Sequence, residues 1–281
     1  MIRIKESELI LNPDGSVYHL NLKPEDISDT LLFVGDQDRV EKITKHFDTI
    51  EFSTQKREFK TQTGTYKGKR ISVISTGIGP DNIDIVLNEL DALINIDFKT
   101  RTIKEKLNSL NIIRIGTSGS LQSDIPVDSF VIGTHGLDLN GMLHFYELED
   151  ICNHEIENAF IKHTHWNSNK ARPIVISNSL ELERIFESKQ TYKGVTGTAG
   201  GFYGPQGRVL RLAIQDSELN NKMNSFLYDG FRISNLEMET ATIYGLSKLL
   251  GHNALSLNAI IANRANGTFS KNPAKTIESL I

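Results

Sequence analysis

Cysteine and long apolar runs are scarce in this chain of 281 residues. Its single cysteine, Cys152, excludes an intrachain disulfide and suits a reducing compartment. No apolar run approaches the ~20 residues that a membrane-spanning helix needs. Residues 1–6 lack the apolar core of a signal peptide. We therefore expect a cytoplasmic protein without a membrane partner.

An excess of positive charge is also missing. Lysine and arginine number 31 against 35 aspartates and glutamates, which gives a net charge of −4. This balance excludes a general nucleic-acid binder, so any anion site must rest on a local group of arginines. Because no repeat or linker marks a boundary, we predict one domain over residues 1–281. Residues 274–281 indicate the start of a helix, and whether that helix is complete is left open.

Compact apolar runs alternate with amphipathic helical patterns along the chain. Helical patterns follow the first two runs, and further helices are predicted over residues 180–188, 217–228 and 238–250. The runs cover residues 30–34, 71–75, 111–115, 129–133, 173–177, 192–196 and 253–262. The alternation predicts an α/β fold around a central mixed, mostly parallel sheet. Ligands bind such sheets at the carboxyl ends of strands, where Gly35, Gly77 and Gly116 are expected.

An arginine lies inside one of these apolar runs. Arg114 stands between Ile113 and Ile115, and a buried guanidinium is costly unless it has an anionic partner. The residues from Gly116 to Ser120 offer hydroxyls and unhindered N–H groups, and we predict that they form an anion-binding turn. An arginine directed to the surface beside an ordinary tight turn is the alternative.

Two further segments carry arginines. Gly35 ends a predicted strand and Arg39 falls in the first turn of the following helix, where N–H groups already favour an anion. The alternative is Asp36 as a helix N-cap with Arg39 in solvent. Arg57 lies in an alternating strand pattern and is most simply a surface residue. Neither a GxGxxG nor a Walker A motif is present, so no nucleotide cofactor is predicted.

Residues 196–208 form a glycine-dense loop that carries aromatic, amide and guanidinium groups. Phe202 can stack on a flat ring while Gln206 and Arg208 bind the polar edge of that ring. An amide beside a guanidinium matches the donor and acceptor pattern of uracil. The alternative is a flexible surface loop.

Two acidic residues begin the predicted helix at 238–250. We predict that Glu239 accepts hydrogen bonds from the vicinal hydroxyls of a ribose and that Met238 packs on the sugar face. Glu237 lies beside them. The alternative is that both acids simply favour a helix N-terminus.

Taken in order, these segments resemble the uridine phosphorylases of the nucleoside phosphorylase/nucleosidase superfamily. The motifs are VYHL at Val17, GDQDRV at Gly35, REF at Arg57, STGIG at Ser75, RIGTSG at Arg114, FYGPQGR at Phe202, EMET at Glu237 and IIANR at Ile260. The resemblance implies a three-layer α/β/α sandwich. It also implies reversible phosphorolysis of uridine to uracil and ribose 1-phosphate, without an organic cofactor.

The resemblance assigns residues to each part of the substrate pair. The phosphate site would comprise Gly35, Arg39, Arg57, Arg114 and Thr117, with Arg57 supplied by a neighbouring subunit. His19, Glu237, Met238 and Glu239 would bind ribose, His19 reaching the 5′-hydroxyl across the same interface. Phe202, Gln206, Arg208 and Arg264 would bind uracil. Catalytic roles would belong to Arg39, Arg57, Arg114, Arg208 and Glu239, in a homo-oligomer that is at least a dimer, with a hexamer also open.

Several alternatives stay open. The substrate could be deoxyuridine, thymidine or a purine nucleoside, although Ile260–Arg264 lacks the acid that related enzymes use at a purine N7. The chain could also be a nucleosidase, or a non-catalytic relative that binds a nucleoside. Some relatives hold a structural monovalent cation, and Glu58 and Ser75 match part of that site. The spacing of Cys152, His154, His163 and His165 is poor for zinc, so no metal site is predicted.

Overall fold

The computed structural model describes residues 2–281. The chain forms two compact units, the first from residues 2–113 with 250–252 and the second from residues 114–249 with 253–281. Strands and helices alternate through both units. Over residues 2–281, every helix is too short or too polar to cross a membrane.

The first unit contains a four-stranded sheet in the order β1-β4-β3-β2. Its strands are β1 (Thr30–Val34), β2 (Thr49–Lys56), β3 (Phe59–Tyr66) and β4 (Lys69–Ser75). Strand β1 pairs parallel with β4, whereas β2–β3 and β3–β4 are antiparallel. Two-residue turns join β2 to β3 and β3 to β4, and so short a connection allows only antiparallel pairing.

Helices of the first unit follow the two parallel strands. They are α1 (Gln37–Thr44) and α2 (Pro80–Asn95). Asp36 caps α1, its carboxylate accepting the Asp38 N–H at 3.0 Å. The predicted apolar face of α2 is buried, with Ile83, Leu87 and Leu90 inaccessible to solvent. The polar stretch after α2 forms a small antiparallel pair, β5 (Ile96–Asp97) and β6 (Thr102–Ile103).

The second unit holds the remaining elements, including β7 from Arg114 onward. Its strands are β7 (Asn111–Ser120), β8 (Phe130–Asp138), β9 (Ile174–Ser177), β10 (Thr191–Thr198), β11 (Leu227–Tyr228), β12 (Phe231–Glu237), β13 (Asn253–Asn263) and β14 (Thr268–Phe269). Its helices are α3 (His154–Thr164), α4 (Leu180–Phe186), α5 (Leu219–Ser225), α6 (Thr240–Leu250) and α7 (Pro273–Leu280). The strand order is β11-β12-β10-β8-β13-β7.

Pairing in the second unit is mixed. Strand β10 runs parallel to both β8 and β12, while β8 pairs antiparallel with β9 and β13. The α/β fold with a mixed sheet is therefore confirmed, although antiparallel pairs are more frequent than the sequence indicated. One core cluster joins Val195 and Ile233 of the sheet to Phe160 of α3 and Met223 of α5. This cluster supports the strand ends from which the candidate site extends.

Strand β7 is longer than predicted. The sequence indicated a strand ending at Ile115 and a turn from Gly116, but β7 continues to Ser120. Gly119 and Ser120 pair antiparallel with Leu236 and Asn235 of β12. This pairing with a strand more than 100 residues away fixes the glycine-rich segment as extended backbone. Local composition could not reveal it.

Candidate active site

The guanidinium of Arg114 is buried and contacts two acids and an amide. Arg114 is only 7% exposed. One terminal nitrogen lies 2.5 Å from Glu239 and 3.1 Å from Glu237, and the other donates to Asn258 Oδ1 at 2.9 Å. The sequence predicted that a buried arginine here needs an anionic partner, and the two glutamates supply it. The alternative of a surface-directed Arg114 is therefore wrong.

The surroundings keep Arg114 cationic. Burial alone would lower its pKa, but the carboxylates of Glu237 and Glu239 outweigh burial and hold the pKa above the usual value. Gly116 provides the space for this arrangement. A Cβ atom at Gly116 would lie 1.7 Å from an Arg114 terminal nitrogen, because the guanidinium folds back over that glycine. Thr117, the next residue, is half-buried.

Glu237 connects Arg114 to the start of α6. Its carboxylate accepts the N–H groups of Glu239 at 2.9 Å and Thr240 at 3.0 and 3.1 Å. It also accepts the Thr198 hydroxyl at 2.8 Å. Both oxygens thus have donors inside the protein, so Glu237 caps the helix and orients Arg114. Whether it also contacts a ribose stays a prediction, as it does for the half-buried Met238.

A buried polar network continues behind Arg114. The Asn258 amide donates to Ser256 Oγ at 3.1 Å, and that hydroxyl lies 2.8 Å from Thr240 Oγ1. The Ser256 N–H donates to the Tyr244 hydroxyl at 2.8 Å. Sequence reasoning missed Asn258 because it treated residues 253–262 as one apolar run. An asparagine in the middle of such a run was the available signal.

Residues 199–208 of the second unit are here named the base loop. Three of the four residues predicted for uracil belong to this loop, and Arg264, the fourth, contacts it. Gln206 is 2% exposed, and its side-chain oxygen accepts a hydrogen bond from Arg208 at 2.6 Å. Arg264 donates to the Gln206 carbonyl. The Arg208 guanidinium lies 3.8 Å from the centre of the Phe202 ring. Gln206 at the centre of this group is buried, whereas Phe202 is 50% exposed, so the loop is only partly enclosed.

Positive charge at the base loop is not neutralised. Within residues 2–281, neither Arg208 nor Arg264 has a carboxylate within 4 Å. Burial and, after it, the charge of Arg208 lower the pKa of Arg264 to about 10. Burial also lowers the pKa of Arg208. Two guanidinium groups with only neutral partners favour an electron-rich or anionic ligand.

Asn140 anchors the beginning of the base loop. Its side-chain nitrogen donates to the Thr198 carbonyl at 3.3 Å, and its oxygen accepts the Gly200 N–H. Sequence reasoning missed this residue, because an asparagine after a strand resembles any turn residue.

In the first unit, the predicted phosphate residues gather near the carboxyl ends of β1 and β4. Val34, the last residue of β1, is paired in register with Ser75, the last residue of β4 and the first of the STGIG motif. Gly35 and the rest of that motif therefore follow the two strands at the same edge of the sheet. Arg39 is half-buried in the first turn of α1. Arg57 forms the exposed tip of the β2–β3 hairpin, and its carbonyl accepts a hydrogen bond from Gln37 at 2.5 Å. The arginine at the tip is therefore held beside the start of α1.

Glu89 of α2 holds His19. The carboxylate lies 2.6 Å from His19 Nδ1. It also accepts the backbone N–H groups of His19, at 3.0 and 3.1 Å, and of Leu20, at 2.8 Å. This leaves Nε2 as the ring nitrogen that can face a ligand. Sequence reasoning missed Glu89, which lies off the apolar face of α2 and belongs to no motif.

Residues considered for ions and nucleophiles have other partners. The Ser75 hydroxyl donates to the Glu58 carbonyl at 2.6 Å and accepts the Lys60 N–H at 2.8 Å. Burial raises the pKa of Cys152 to about 12, so this thiol is a poor nucleophile. Residues 2–281 hold no group of three histidine, cysteine, aspartate or glutamate residues suited to a metal ion.

Known proteins resemble this chain over most of its length. Residues 29–279 match the family model described as the phosphorylase superfamily. The chain belongs to this superfamily. Among its relatives, uridine phosphorylase from Thermococcus kodakarensis is 31% identical over 267 residues, covering 92% of this chain and 81% of that protein. The predicted family is thereby confirmed.

Other superfamily members extend the comparison. A crystal structure of a Trypanosoma brucei nucleoside phosphorylase that shows uridine phosphorylase activity superposes with a TM-score of 0.84 at 26% identity, covering 97% of both chains. A DeoD-type purine nucleoside phosphorylase from Shewanella baltica is 29% identical over 200 residues, covering 66% of this chain and 78% of that protein. The predicted nucleoside phosphorylase-like fold is confirmed.

Proposed function

We propose that this superfamily member is a uridine phosphorylase, which converts uridine and phosphate reversibly to uracil and ribose 1-phosphate in pyrimidine nucleoside salvage. The observation that carries the proposal is the buried amide of Gln206 beside the guanidinium groups of Arg208 and Arg264. A glutamine amide can accept from the imide N–H of uracil and donate to one carbonyl, while an arginine donates to the other. The similarity to uridine phosphorylases supports the same choice of base.

Charge at the base loop fits a pyrimidine leaving group. Cleavage of the glycosidic bond leaves negative charge on the departing base, and the guanidinium groups of Arg208 and Arg264 would stabilise that charge. A purine would instead need an acid near N7, and Ile260–Arg264 contains none. This difference favours uridine over the purine nucleosides that DeoD-type relatives are named for.

For phosphate we propose Gly35, Arg39, Arg57, Arg114 and Thr117, and for ribose His19, Met238 and Glu239, with Glu237 beside them. Phosphate held beneath the anomeric carbon would oppose the positive charge that develops on the ribose ring. Water needs no group of arginines, so these residues support a phosphorylase over a nucleosidase. A non-catalytic binding protein could lack Arg39 or Glu239. This chain has both together with Gln206, which disfavours that class.

We further propose a homo-oligomer of single-domain chains in the cytoplasm. The exposed position of Arg57 at a hairpin tip, with no carboxylate within 4 Å in the described chain, suits a role in a neighbouring subunit's phosphate site. One family model spans residues 29–279, which supports treating residues 1–281 as one functional domain.

Base specificity is the direct test of this proposal. Uridine and inosine are each incubated with the protein and phosphate, and base release is followed by absorbance. We expect release from uridine and at least ~100-fold less from inosine, as a site built on hydrogen bonds rejects the wrong base strongly. Preference for inosine would point to a purine phosphorylase, and release from neither would point to a binding protein.

A further inference from the structure

A second concave site lies in the second unit, beside the base loop. It is a cavity of about 700 Å³, within the usual range for small-molecule sites. Tyr203, Pro205 and Arg208 contribute to its lining, whereas Phe202 and Gln206 do not. It is therefore distinct from the surface that we propose for uracil, and Arg208 is the one predicted base-binding residue that the two share. We name it the Trp166 cavity after the aromatic residue in its wall.

The walls of the Trp166 cavity are mainly apolar. Leu139, Trp166, Ile214 and Leu219 line it together with Leu212. Leu212 is 74% exposed, so this part of the wall is uncovered in the protein alone. Trp166 is fixed by a hydrogen bond from its ring N–H to the Ala171 carbonyl at 2.9 Å. The free energy falls when an apolar group replaces water against such walls.

The cavity also carries an excess of positive charge. Lys170 and Arg211 belong to the lining. The Lys170 ammonium lies 4.8 Å from the centre of the Trp166 ring, and within residues 2–281 neither cation has a carboxylate within 4 Å. The single acidic residue of the lining, Asp216, pairs with Lys222 at 2.9 Å, and the charge of Lys170 also helps to lower its pKa, so one acid stands against the cations of the lining. The lining is therefore complementary to an apolar anion.

We propose that the Trp166 cavity binds an apolar carboxylate. Its ring or branched chain lies against Trp166 and the leucines, and its carboxylate faces Lys170 and Arg211. The carboxylate gains charge-assisted hydrogen bonds from Lys170, which lies over the Trp166 ring, and from the exposed Arg211. This ligand is neither a nucleoside nor phosphate, so the inference goes beyond the proposed function and does not depend on it.

Trp166 is the only tryptophan of the chain and thus reports directly on this cavity. The test is a titration of the full chain with phenylbutyrate, followed by tryptophan fluorescence, with phenylbutyramide as the uncharged ligand of the same shape. We expect a saturable change for the acid, with an affinity about tenfold higher than for the amide. No saturable change, or equal affinity for acid and amide, would overturn the proposal.

Two additional measurements locate the ligand. The variant Lys170→Met/Arg211→Met should have a weaker preference for the acid, with Arg208 the one remaining cation of the lining, whereas Lys162→Met, an exposed lysine of α3 outside the cavity, should keep the preference unchanged. Saturating uridine should change the affinity for phenylbutyrate by no more than about twofold, because the nucleoside is expected to bind at Gln206. Displacement by uridine would put the acid in the base loop and contradict the proposal. If the Trp166 fluorescence changed on dilution without ligand, a second copy of the chain would be covering the cavity, and this too would contradict the proposal.

Phosphorolysis and acid binding can fail independently. Acid binding is measured by fluorescence in the absence of phosphate and nucleoside. A protein that binds phenylbutyrate but releases no base would overturn the proposed function alone. A protein that releases uracil but does not distinguish acid from amide would overturn the Trp166 cavity proposal alone.

Discussion

Arg114 is the residue on which most of the candidate site depends. Its guanidinium is held by Glu237, Glu239 and Asn258, and these contacts fix its direction before any ligand arrives. Such preorganisation lets a charged group act on a ligand without first losing side-chain freedom. Two residues that touch no ligand in our proposal, Gly116 and Glu89, control the position of a proposed ligand-binding side chain and can be tested separately.

The change Gly116→Ala should displace the Arg114 guanidinium. The new Cβ would lie 1.7 Å from an Arg114 nitrogen, and the flexible side chain can move more easily than the strand. We expect kcat/KM for phosphate to fall about 100-fold, and the melting temperature to fall as well, because the displaced guanidinium loses its buried carboxylate partners. The matched control is Gly119→Ala in the same strand, where the nearest atom would be 3.6 Å away. Equal activity of the two variants in phosphorolysis assays would contradict this account of Gly116.

The change Glu89→Gln should act through His19. Loss of the carboxylate charge weakens the hold on Nδ1, so Nε2 is less well directed at a 5′-hydroxyl. We expect kcat/KM for uridine to fall about tenfold, and that for 5′-deoxyuridine, which lacks the hydroxyl, to change little. Asp81→Asn, an exposed acid in the first turn of the same helix, is the control. Equal losses for both nucleosides would mean that Glu89 serves only to stabilise the fold.

At the level of elements, Glu237 connects the start of α6 to Arg114 of β7. Glu237 accepts N–H groups of the first residues of the helix and contacts Arg114 of the strand. Helix N-termini have unpaired N–H groups, and a carboxylate there also interacts favourably with the helix dipole. The same side chain thus stabilises the helix and orients the guanidinium.

The change Glu237→Gln tests this connection. It keeps the shape but removes a buried charge that has several donors, so we expect the free energy of unfolding to fall by about 2 kcal/mol. Urea denaturation followed by circular dichroism measures this loss. Glu181→Gln, an exposed acid in the first turn of α4, should change the value by less than ~0.5 kcal/mol. If the two variants were equally stable, Glu237 would not be the cap described above.

At the level of the whole molecule, the sequence predicted local elements well and long-range pairing poorly. Residues 30–34 were predicted as a strand with the observed limits of β1, and the apolar face of α2 was correct. The extension of β7 was missed because its pairing with β12 depends on residues more than 100 positions away. Local hydrophobic periodicity carries no information about such pairing.

The candidate site shows the same division. Phe202, Gln206, Arg208 and Arg264 were predicted together from their chemistry and the family resemblance, and the structure brings them together. Side chains that support the site, namely Asn140, Asn258 and Glu89, were missed. Their roles depend on contacts with distant backbone and side chains, and their residue types are common in turns and on helix surfaces.

Stability of the whole molecule should depend on His135. Burial, followed by the charge of Lys248, lowers the pKa of His135 to about 4, although Glu183 acts in the opposite direction. The unfolded chain therefore takes up a proton near pH 6.5 that the folded protein excludes until about pH 4. Because the unfolded state binds more protons in this window, the free energy of unfolding must fall as the pH falls through it.

The change His135→Gln removes this proton uptake. Between about pH 7 and about pH 5, wild type should lose about 2 kcal/mol more stability than the variant in urea denaturation. The comparison cancels the contribution of the carboxylates, which is common to both proteins. Parallel pH profiles of the two proteins would show that His135 is not kept neutral by the fold.

The measurement that tests the central claim most directly is phosphorus NMR of the wild-type protein with uridine and inorganic phosphate. Phosphorolysis predicts that the phosphate signal declines while a ribose 1-phosphate signal grows, in step with the uracil released. Uracil release with an unchanged phosphate signal would show that water is the acceptor, and the phosphorylase account would be wrong.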